Sequence, residues 1–424
     1  MTVFLGMGSN LGDRRAALRR ALEAVGRAGV AIGRVSPIVE SPALLPLGAP
    51  PDWNRPFLNL VVEATADCAP ETLLARLKRV EAELGRGPHE RWSPRPIDID
   101  ILLWDDLELA SESLTIPHPG LLERNFVLTP LAALQADLKI PGGDGKTVLE
   151  HSRALGRSIP LWMGIVNLTP DSFSDGGELL EWAGVDARVD ALCAAGAHIL
   201  DFGAESTRPG ARALDPGEEL ARLLPVLERV AAKYADEPLR PLISVDTRHA
   251  EVARRALALG ADIVNDVSGL TTPEMIELAA TREAQWVAMH HVSIPADPAR
   301  TLPADGDAYH EVAAWLEAQI ERWTRAGLDL ANIVFDPGIG FGKNPLQSLQ
   351  LLRDAHRFTH YPLRCLFGHS RKSFMHGFAS SNRSERDLAT VGASLSLCAR
   401  GIDILRVHNV AAHSAAYRGW AHVQ

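Results

Sequence analysis

The sequence predicts two fold classes in one chain: an α+β sandwich up to Gly156 and an α/β (β/α)8 TIM barrel beyond it. Three observations carry this. The chain has 424 residues, more than one ordinary core holds. From Leu161 onward, short apolar runs alternate with helical patterns, as in a parallel sheet with crossover helices. Before Gly156, strands and helices mix without that alternation, which points to an α+β domain. The expected domains are therefore 1–156 and 157–424.

Composition narrows the function classes. The chain is 46% hydrophobic and 23% charged, an ordinary globular balance. Its net charge is −10, and neither part is basic, with 17 basic against 20 acidic residues up to Gly156 and 26 against 33 after it. Nucleic acid is therefore not an expected partner. Cys68, Cys193, Cys365 and Cys398 are scattered without metal spacing, as expected of reduced thiols in a cytoplasmic protein. MTVFLGMGSN lacks the charged start of a signal peptide, and no apolar run is long enough to span a bilayer.

In the first domain, Thr2–Ser9 is an apolar strand ending in Gly8-Ser9-Asn10-Leu11-Gly12. A helix follows, with apolar spacing at Ala17, Leu18, Ala21, Leu22 and Val25. Ala31–Glu40 and Phe57–Ala66 read as strands around the Pro-rich loop SPALLPLGAPPDWNRP, whose length suggests a functional loop. Pro70–Leu84 is a helix, Ile97–Trp104 a strand, and Asn125–Leu134 the last helix. A short amphipathic piece lies within the junction Pro141–Pro160.

The chemistry of this domain lies in ERWSPRPIDIDILLW. Asp98 and Asp100 are two apart on a strand and share a face. Adjacent carboxylates repel each other, and a divalent cation such as Mg2+ would cancel their charge. Arg86, Arg91 and Arg95 offer planar donor forks suited to phosphate oxygens. Together they suggest phosphoryl or pyrophosphoryl transfer from a nucleotide. Spacing alone leaves a second reading open, a solvated acidic edge strand. Likewise His118 could be a plain loop residue and Asn59 a satisfied core amide. No Walker-type glycine loop is present.

In the second domain the strand cores are Trp162–Leu168, His198–Gly203, Leu242–Asp246, Asp262–Val267, Trp286–Met289, Ile333–Asp336, Cys365–Gly368 and Ile404–His408. Helical patterns such as Pro216–Lys233, Ala250–Leu259 and Asp307–Ala326 separate them. Nearly every strand ends in a polar residue: Asn167, Asp201, Asp246, Asn265 with Asp266, His290, Asp336, Ser370 with Lys372, and Arg406 with His408. Singly these read as caps or turn formers; as a set they predict one pocket at the C-terminal mouth of a barrel. Asp246, Asn265, Asp336 and Lys372 suit a donor-rich, pterin-like ring. Asn167, Arg208, Arg406 and His408 suit phosphate. Gly338, Gly340 and Gly342 in DPGIGFGK let backbone approach a ligand or form only a tight turn.

The first domain resembles the 6-hydroxymethyl-7,8-dihydropterin pyrophosphokinases, through GMGSNLGDR, FLNLVV, ERWSPRPIDIDILLW and LTIPHPGLLERNFVLTPL. The resemblance implies a ferredoxin-like sandwich that transfers pyrophosphate from ATP to the pterin hydroxymethyl group. It implies two Mg2+ ions on Asp98 and Asp100. ATP would be bound by Arg86, Arg91, Arg95, His118 and Arg124, and the pterin framed by Asn59, Phe57 and Phe126. Ser93 stands where that family usually has Gly, and Ser113 where a basic residue sometimes occurs. The second domain resembles the dihydropteroate synthases, through MGIVNLTPDSFSDGG, ESTRPG, ISVDT, VNDVSG, DPGIGFGK, SRKSF and RVHNV. The resemblance implies that p-aminobenzoate displaces pyrophosphate from the pyrophosphorylated pterin. Asp246, Asn265, Met289, Asp336, Phe341 and Lys372 would hold the pterin. Asn167, Arg208, Arg371, Arg406 and His408 would hold pyrophosphate, with one Mg2+ near Asn167 and Asp171. Phe173, Thr207, Pro209 and Ser370 would receive p-aminobenzoate, making the barrel a sulfonamide target. A homodimer through the barrel is also implied. Two departures are Asn409 after His408, where Asp is common, and MHHVS after the fifth strand. The alternative is that only the barrel is catalytic and the first domain is a scaffold. Readings from other classes are a corrinoid-dependent methyltransferase on a similar barrel and a non-enzymatic pterin-binding protein.

Overall fold

TVFLGMGS is a largely apolar run and DIDILLW opens with alternating acid and apolar residues, and these segments form adjacent strands of the first sheet. The computed structural model describes residues 1–87, 92–156, 158–168, 177–206, 212–297, 299–380 and 382–423, with the backbone alone for 177–182. The chain forms two compact units, Met1–Ile159 with Glu237–Arg240 and Arg418–Gln424, and Pro160–Asp236 with Pro241–Tyr417.

The first unit runs β1 (Thr2–Ser9), α1 (Arg14–Arg27), β2 (Ala31–Val35), β3 (Val39–Ser41), β4 (Phe57–Thr65), α2 (Pro70–Glu83) and β5 (Asp98–Trp104). A hairpin of β6 (Leu109–Ala110) and β7 (Thr115–Ile116) follows, then α3 (Asn125–Leu134) and α4 (Val148–Ala154). The sheet order is β2-β4-β1-β5, with β3 also on β4, and β1 is antiparallel to both neighbours. This is the expected α+β, ferredoxin-like sandwich. Leu18 and Leu22 of α1 and Leu73 and Leu77 of α2 pack with Leu60, Ile99 and Ile101 on one face. Val127, Leu128 and Leu131 of α3 and Val148 of α4 join Phe4, Val61, Leu102 and Leu103 on the other.

The structure corrects two readings. Ala31–Glu40 is not one strand but β2 and β3, separated at Ser36-Pro37. Pro37 has no N–H for a ladder, and Ser36 substitutes a side-chain bond, its Oγ accepting from Val61 N at 2.9 Å. Asn125–Leu134 is not the last helix. The amphipathic piece of the junction forms α4, opened by a reciprocal cap between Thr147 and Glu150.

In the second unit, β8 (Leu161–Asn167), β9 (Ile199–Gly203), β10 (Leu242–Asp246), β11 (Ile263–Asp266), β12 (Gln285–Met289), β13 (Ile333–Asp336), β14 (Arg364–Phe367) and β15 (Ile404–Val407) close into a barrel. All neighbours are parallel, and β15 returns to β8. Each strand is followed by helix: α5 (Gly177–Ala194), α6 (Pro216–Lys233), α7 (Ala250–Ala258), α8 (Pro273–Thr281), α9 (Ala308–Arg325), α10 (Pro345–Arg353) with α11 (Ala355–Phe358), α12 (Arg383–Cys398) and α13 (Val410–Val423). Strands such as IVND and IVFD are buried along their whole length, as a sheet covered by helices requires. Side-chain caps set several helix starts, among them Asp215 for α6, Asp307 for α9 and Asn344 for α10.

Candidate active sites

In the first unit the site grows from one row across the sheet. Gly8 of β1 pairs with Asn59 of β4 on one side and Asp98 of β5 on the other. Gly6 pairs in the same way with Val61 and Asp100. Glycine at 8 leaves a slot between the amide and the acid. A Cβ there would lie 2.9 Å from Asn59 Oδ1 and 3.5 Å from the Phe57 ring. Asn59 is held by donating its Nδ2 to Ser41 Oγ at 3.0 Å.

The two carboxylates are treated differently. Asp98 accepts from Arg86 and lies 2.7 Å from Arg95 Nη2. Burial pushes its carboxyl up, but Arg95, Arg86 and Lys78 outweigh this and hold it below the usual range. Asp100 has no such partner among the described residues; His118 Nε2 lies 3.9 Å from its Oδ2. Burial and the Asp98 charge push the Asp100 carboxyl up, against weaker pulls from His118, Lys78 and Arg124. His118 Nδ1 accepts from Gly120 N at 3.0 Å, which leaves Nε2 as the nitrogen turned toward Asp100. Burial pulls the His118 pKa down, so the ring is neutral at pH 7.

Arg95 lies 5.5 Å from the Phe57 ring centre, and Arg124 5.9 Å from that of Phe126, which is half-buried against the α3 core. Arg91 lies outside the described residues. Two anchors were missed in the sequence. Buried Glu81, at the end of α2, accepts from Arg86, from Lys78 and from Ile99 N at 2.7 Å, tying the arginine to β5. Asn10 accepts from Arg95 N at 2.8 Å and donates to Arg55 O, stapling two loops to the end of β1. Glu81 sits at an apolar helical position and Asn10 in a turn-like run, so neither stood out.

In the barrel, Asn167, Gly203, Asp246 and Asn265 lie side by side in register at the C-terminal ends of β8 to β11. Met289 and Asp336 continue across β12 and β13. Two residues deeper, fully buried Asp201 accepts from Ser244 Oγ at 2.7 Å, from Asn265 Nδ2 at 3.3 Å and from Arg406 Nε at 2.6 Å. Arg406 Nη2 reaches Asp246 at 2.7 Å. The chemical sorting of the sequence put Arg406 with the phosphate group; here its direct partners are Asp201 and Asp246. Asp201 was noted as a polar strand end but given no role.

Asp336, Arg406 and Lys372 converge on Gly368. A Cβ there would lie 3.5 Å from Asp336 Oδ2, 3.9 Å from Lys372 Nζ and 3.9 Å from Arg406 Cδ. Lys372 donates to Ile339 O, and its Nζ stands 4.7 Å from the Phe341 ring centre. Burial pushes the Asp246 carboxyl up to about 7 against the pull of Arg406. Burial also pulls the Lys372 pKa down to about 8 against the pull of Asp336.

Ser370 Oγ is bonded by His408 N at 3.3 Å and lies 3.0 Å from His408 Nδ1, joining the β14 and β15 ends. Arg371 forms a fork with Asp387. Arg188 of α5 donates to Ile165 O at 3.0 Å and His408 O at 2.7 Å, bridging β8 and β15. Arg188 was missed because it sits inside a helical pattern. So was Lys343, a buried lysine 2.6 Å from His290 Nδ1. Asp171, Phe173, Thr207, Arg208 and Pro209 lie outside the described residues.

These two sites define a two-domain enzyme, pairing a sandwich for charged phosphate chemistry with a barrel shaped for a donor-rich ring. The family model for 7,8-dihydro-6-hydroxymethylpterin-pyrophosphokinase matches residues 4–136, and that for pterin binding enzymes residues 163–408. A folate synthesis bifunctional protein of Chlamydia muridarum is 39% identical over 96% of this chain and 95% of its own. The dihydropteroate synthase of Xanthomonas albilineans, solved with 4-aminobenzoic acid, is 39% identical, with a TM-score of 0.57 over 62% of this chain and 93% of that one. The enzyme of Anaplasma phagocytophilum, solved with 6-hydroxymethylpterin-monophosphate, is 34% identical, with a TM-score of 0.57 over 62% and 98%. The chain belongs to the folate synthesis bifunctional proteins, which join a pterin pyrophosphokinase to a dihydropteroate synthase.

Proposed function

We propose that the first domain, 1–156, moves pyrophosphate from ATP to 6-hydroxymethyl-7,8-dihydropterin, and that the barrel, 157–424, condenses that product with p-aminobenzoate. The observation that carries the residue assignment is the unequal pair Asp98 and Asp100. One acid is saturated by arginines, and the other has no Arg or Lys ion pair among the described residues. Among the described residues no three His, Cys, Asp or Glu side chains gather as a metal cage. Mg2+ does not need one, since it commonly takes one or two carboxylates and completes its shell with water and substrate phosphates. Two Mg2+ ions would be held by Asp98 and Asp100, and when bound would draw charge from the phosphate oxygens. Arg86, Arg91, Arg95, His118 and Arg124 bind ATP. The pterin enters the slot over Gly8, its ring edge on Asn59 and its faces on Phe57 and Phe126.

In the barrel, Asp246, Asn265 and Asp336 accept from and donate to the pterin edge, while Lys372, Met289 and Phe341 fix its plane. Asn167, Arg208, Arg371, Arg406 and His408 hold pyrophosphate as it leaves, stabilising its growing charge. One Mg2+ is placed near Asn167, whose amide oxygen is a suitable donor. Phe173, Thr207, Pro209 and Ser370 receive p-aminobenzoate, whose amine closes on the pterin methylene. We further assign a cytoplasmic setting. No described helix is long and apolar enough to cross a membrane, and the four cysteines form no disulfides. A homodimer through the barrel is part of the same proposal.

The test supplies the full chain with ATP, Mg2+, hydroxymethyldihydropterin and labelled p-aminobenzoate. Labelled dihydropteroate is expected. If it forms only from the pyrophosphorylated pterin, the first domain is a scaffold and its assignment falls. If it forms from neither, the barrel assignment falls as well.

A further inference from the structure

We infer that Asp387 is the positioning residue of Arg371, and that Asn409 is an amide because Asp387 faces it. The inference deepens the reading of Arg371 as a pyrophosphate ligand and rests on it.

Asp387 stands on α12, outside the strands that carry the barrel site. Its Oδ1 accepts from Arg371 Nε at 2.6 Å and its Oδ2 from Arg371 Nη2 at 2.9 Å. This two-bond fork fixes the plane of the guanidinium as well as its place. Thr390, three residues on and on the same helix face, accepts from Arg371 N at 3.4 Å. So α12 holds Arg371 by both its side chain and its backbone. The backbone needs holding: Arg371 has φ 59, a left-handed conformation that non-glycine residues rarely adopt. Its neighbours Ser370 and Lys372 face His408 and the pterin pocket, so an error at 371 would be passed to both.

Asn409 completes the arrangement. Its Oδ1 accepts from Ala412 N at 3.1 Å and so opens α13, while its Nδ2 donates to Asp387 Oδ2 at 3.2 Å. The amide thus turns its acceptor to the helix and its donor to the acid. An aspartate at 409 could still cap α13, but it would set a second carboxylate against Asp387. Residue 409 follows His408 directly, so the same acid that aims Arg371 also fixes the turn after His408. Burial pushes the Asp387 carboxyl up, yet the bonds from Arg371 and Asn409 hold it below the usual range, as expected of a charged acceptor.

The consequence is that Arg371 reaches an anion already aimed, with its spare N–H groups turned away from Asp387. Binding then has little side-chain freedom left to freeze. The full chain is assayed with pyrophosphorylated pterin and p-aminobenzoate, so that only the barrel is read. D387N is expected to raise KM for the pyrophosphorylated pterin roughly tenfold, with a smaller change in kcat. Its affinity for 6-hydroxymethylpterin, which lacks the anion, should stay at the wild-type value. N409D should raise the same KM by like-charge repulsion. The double variant D387N/N409D exchanges acid and amide, and should recover to within about twofold of wild type. An unchanged KM in D387N, or a double variant no better than the product of the singles, overturns the inference. Loss of hydroxymethylpterin binding in D387N also overturns it, because the role would then be structural. R371Q separates the two levels. If R371Q leaves KM unchanged, the assignment of Arg371 to pyrophosphate has failed. If R371Q raises KM while D387N does not, only the positioning role has failed.

Discussion

The carboxylates of the two sites are handled in opposite ways. At the barrel mouth, Asp201 and Asp336 are buried and Asp246 half-buried, and Asp201 and Asp246 share Arg406 between them. In the first sheet, Asp98 is oversupplied with arginines while Asp100, on the same strand, has among the described residues only His118, 3.9 Å away. The barrel balances its own charge before any ligand arrives, as a site for a neutral, donor-rich ring should. Among the described residues the sandwich leaves one acid without an ion-paired Arg or Lys, which suits the proposed arrival of Mg2+ with the nucleotide. A buried charge without a partner is costly, so it persists where a ligand completes it.

Three substitutions or titrations sharpen this contrast. The largest effect is expected for Asp100→Ala. Pyrophosphokinase turnover should fall about a thousandfold, while the melting temperature stays level or rises, because a repulsion is removed. A large loss of stability would mean that Asp100 is structural, and the contrast would be lost. In the barrel, Arg406→Met should do the reverse to stability. It leaves buried Asp201 and half-buried Asp246 without the Arg406 guanidinium and should destabilise the barrel by about 3–5 kcal/mol, read by denaturant unfolding. An unaltered unfolding midpoint would show that the barrel acids do not depend on that pairing.

The third is a pH profile. The Asp246 carboxyl is raised to about 7, so the ligand-free barrel loses stability as pH rises from about 4 towards 7. On the proposed role of Asp246, pterin is read by the ionised acid as acceptor, so affinity should improve through that same window. Lys372, lowered to about 8, loses its charge above that pH. The kcat/KM of the barrel step should therefore form a bell, with limbs near 7 and 8 and about a tenfold fall per unit beyond each. A flat acid limb would remove Asp246 from pterin recognition. The Asp387 exchange is the subtler test, because it moves one contact without changing the count of charges.

The barrel was legible in the chain because each strand repeats one rule, an apolar run closed by a polar residue. Six of its eight strand cores were displaced by one residue at one or both ends, and the order around the barrel follows chain order. In the sandwich, Asp98 and Asp100 could be read as a pair because strand periodicity alone puts them on one face. What could not be read was which cation goes with which acid. Arg406 meets Asp246 across 160 residues, and Arg188 meets the His408 carbonyl across 220. Glu81 lay hidden as an apolar-face position of a helix, and Ser36-Pro37 interrupted a strand whose composition favoured continuing.

The sequence by itself determined the element types, the two-domain division and the kinds of group at each site, since these follow from local periodicity and side-chain chemistry. Only the tertiary structure decided the pairings: Asp98 between Arg86 and Arg95, Asp201 beneath Arg406, and Asp387 behind Arg371. The physical reason is that charge interaction depends on distance and burial in space, and neither is a function of separation along the chain.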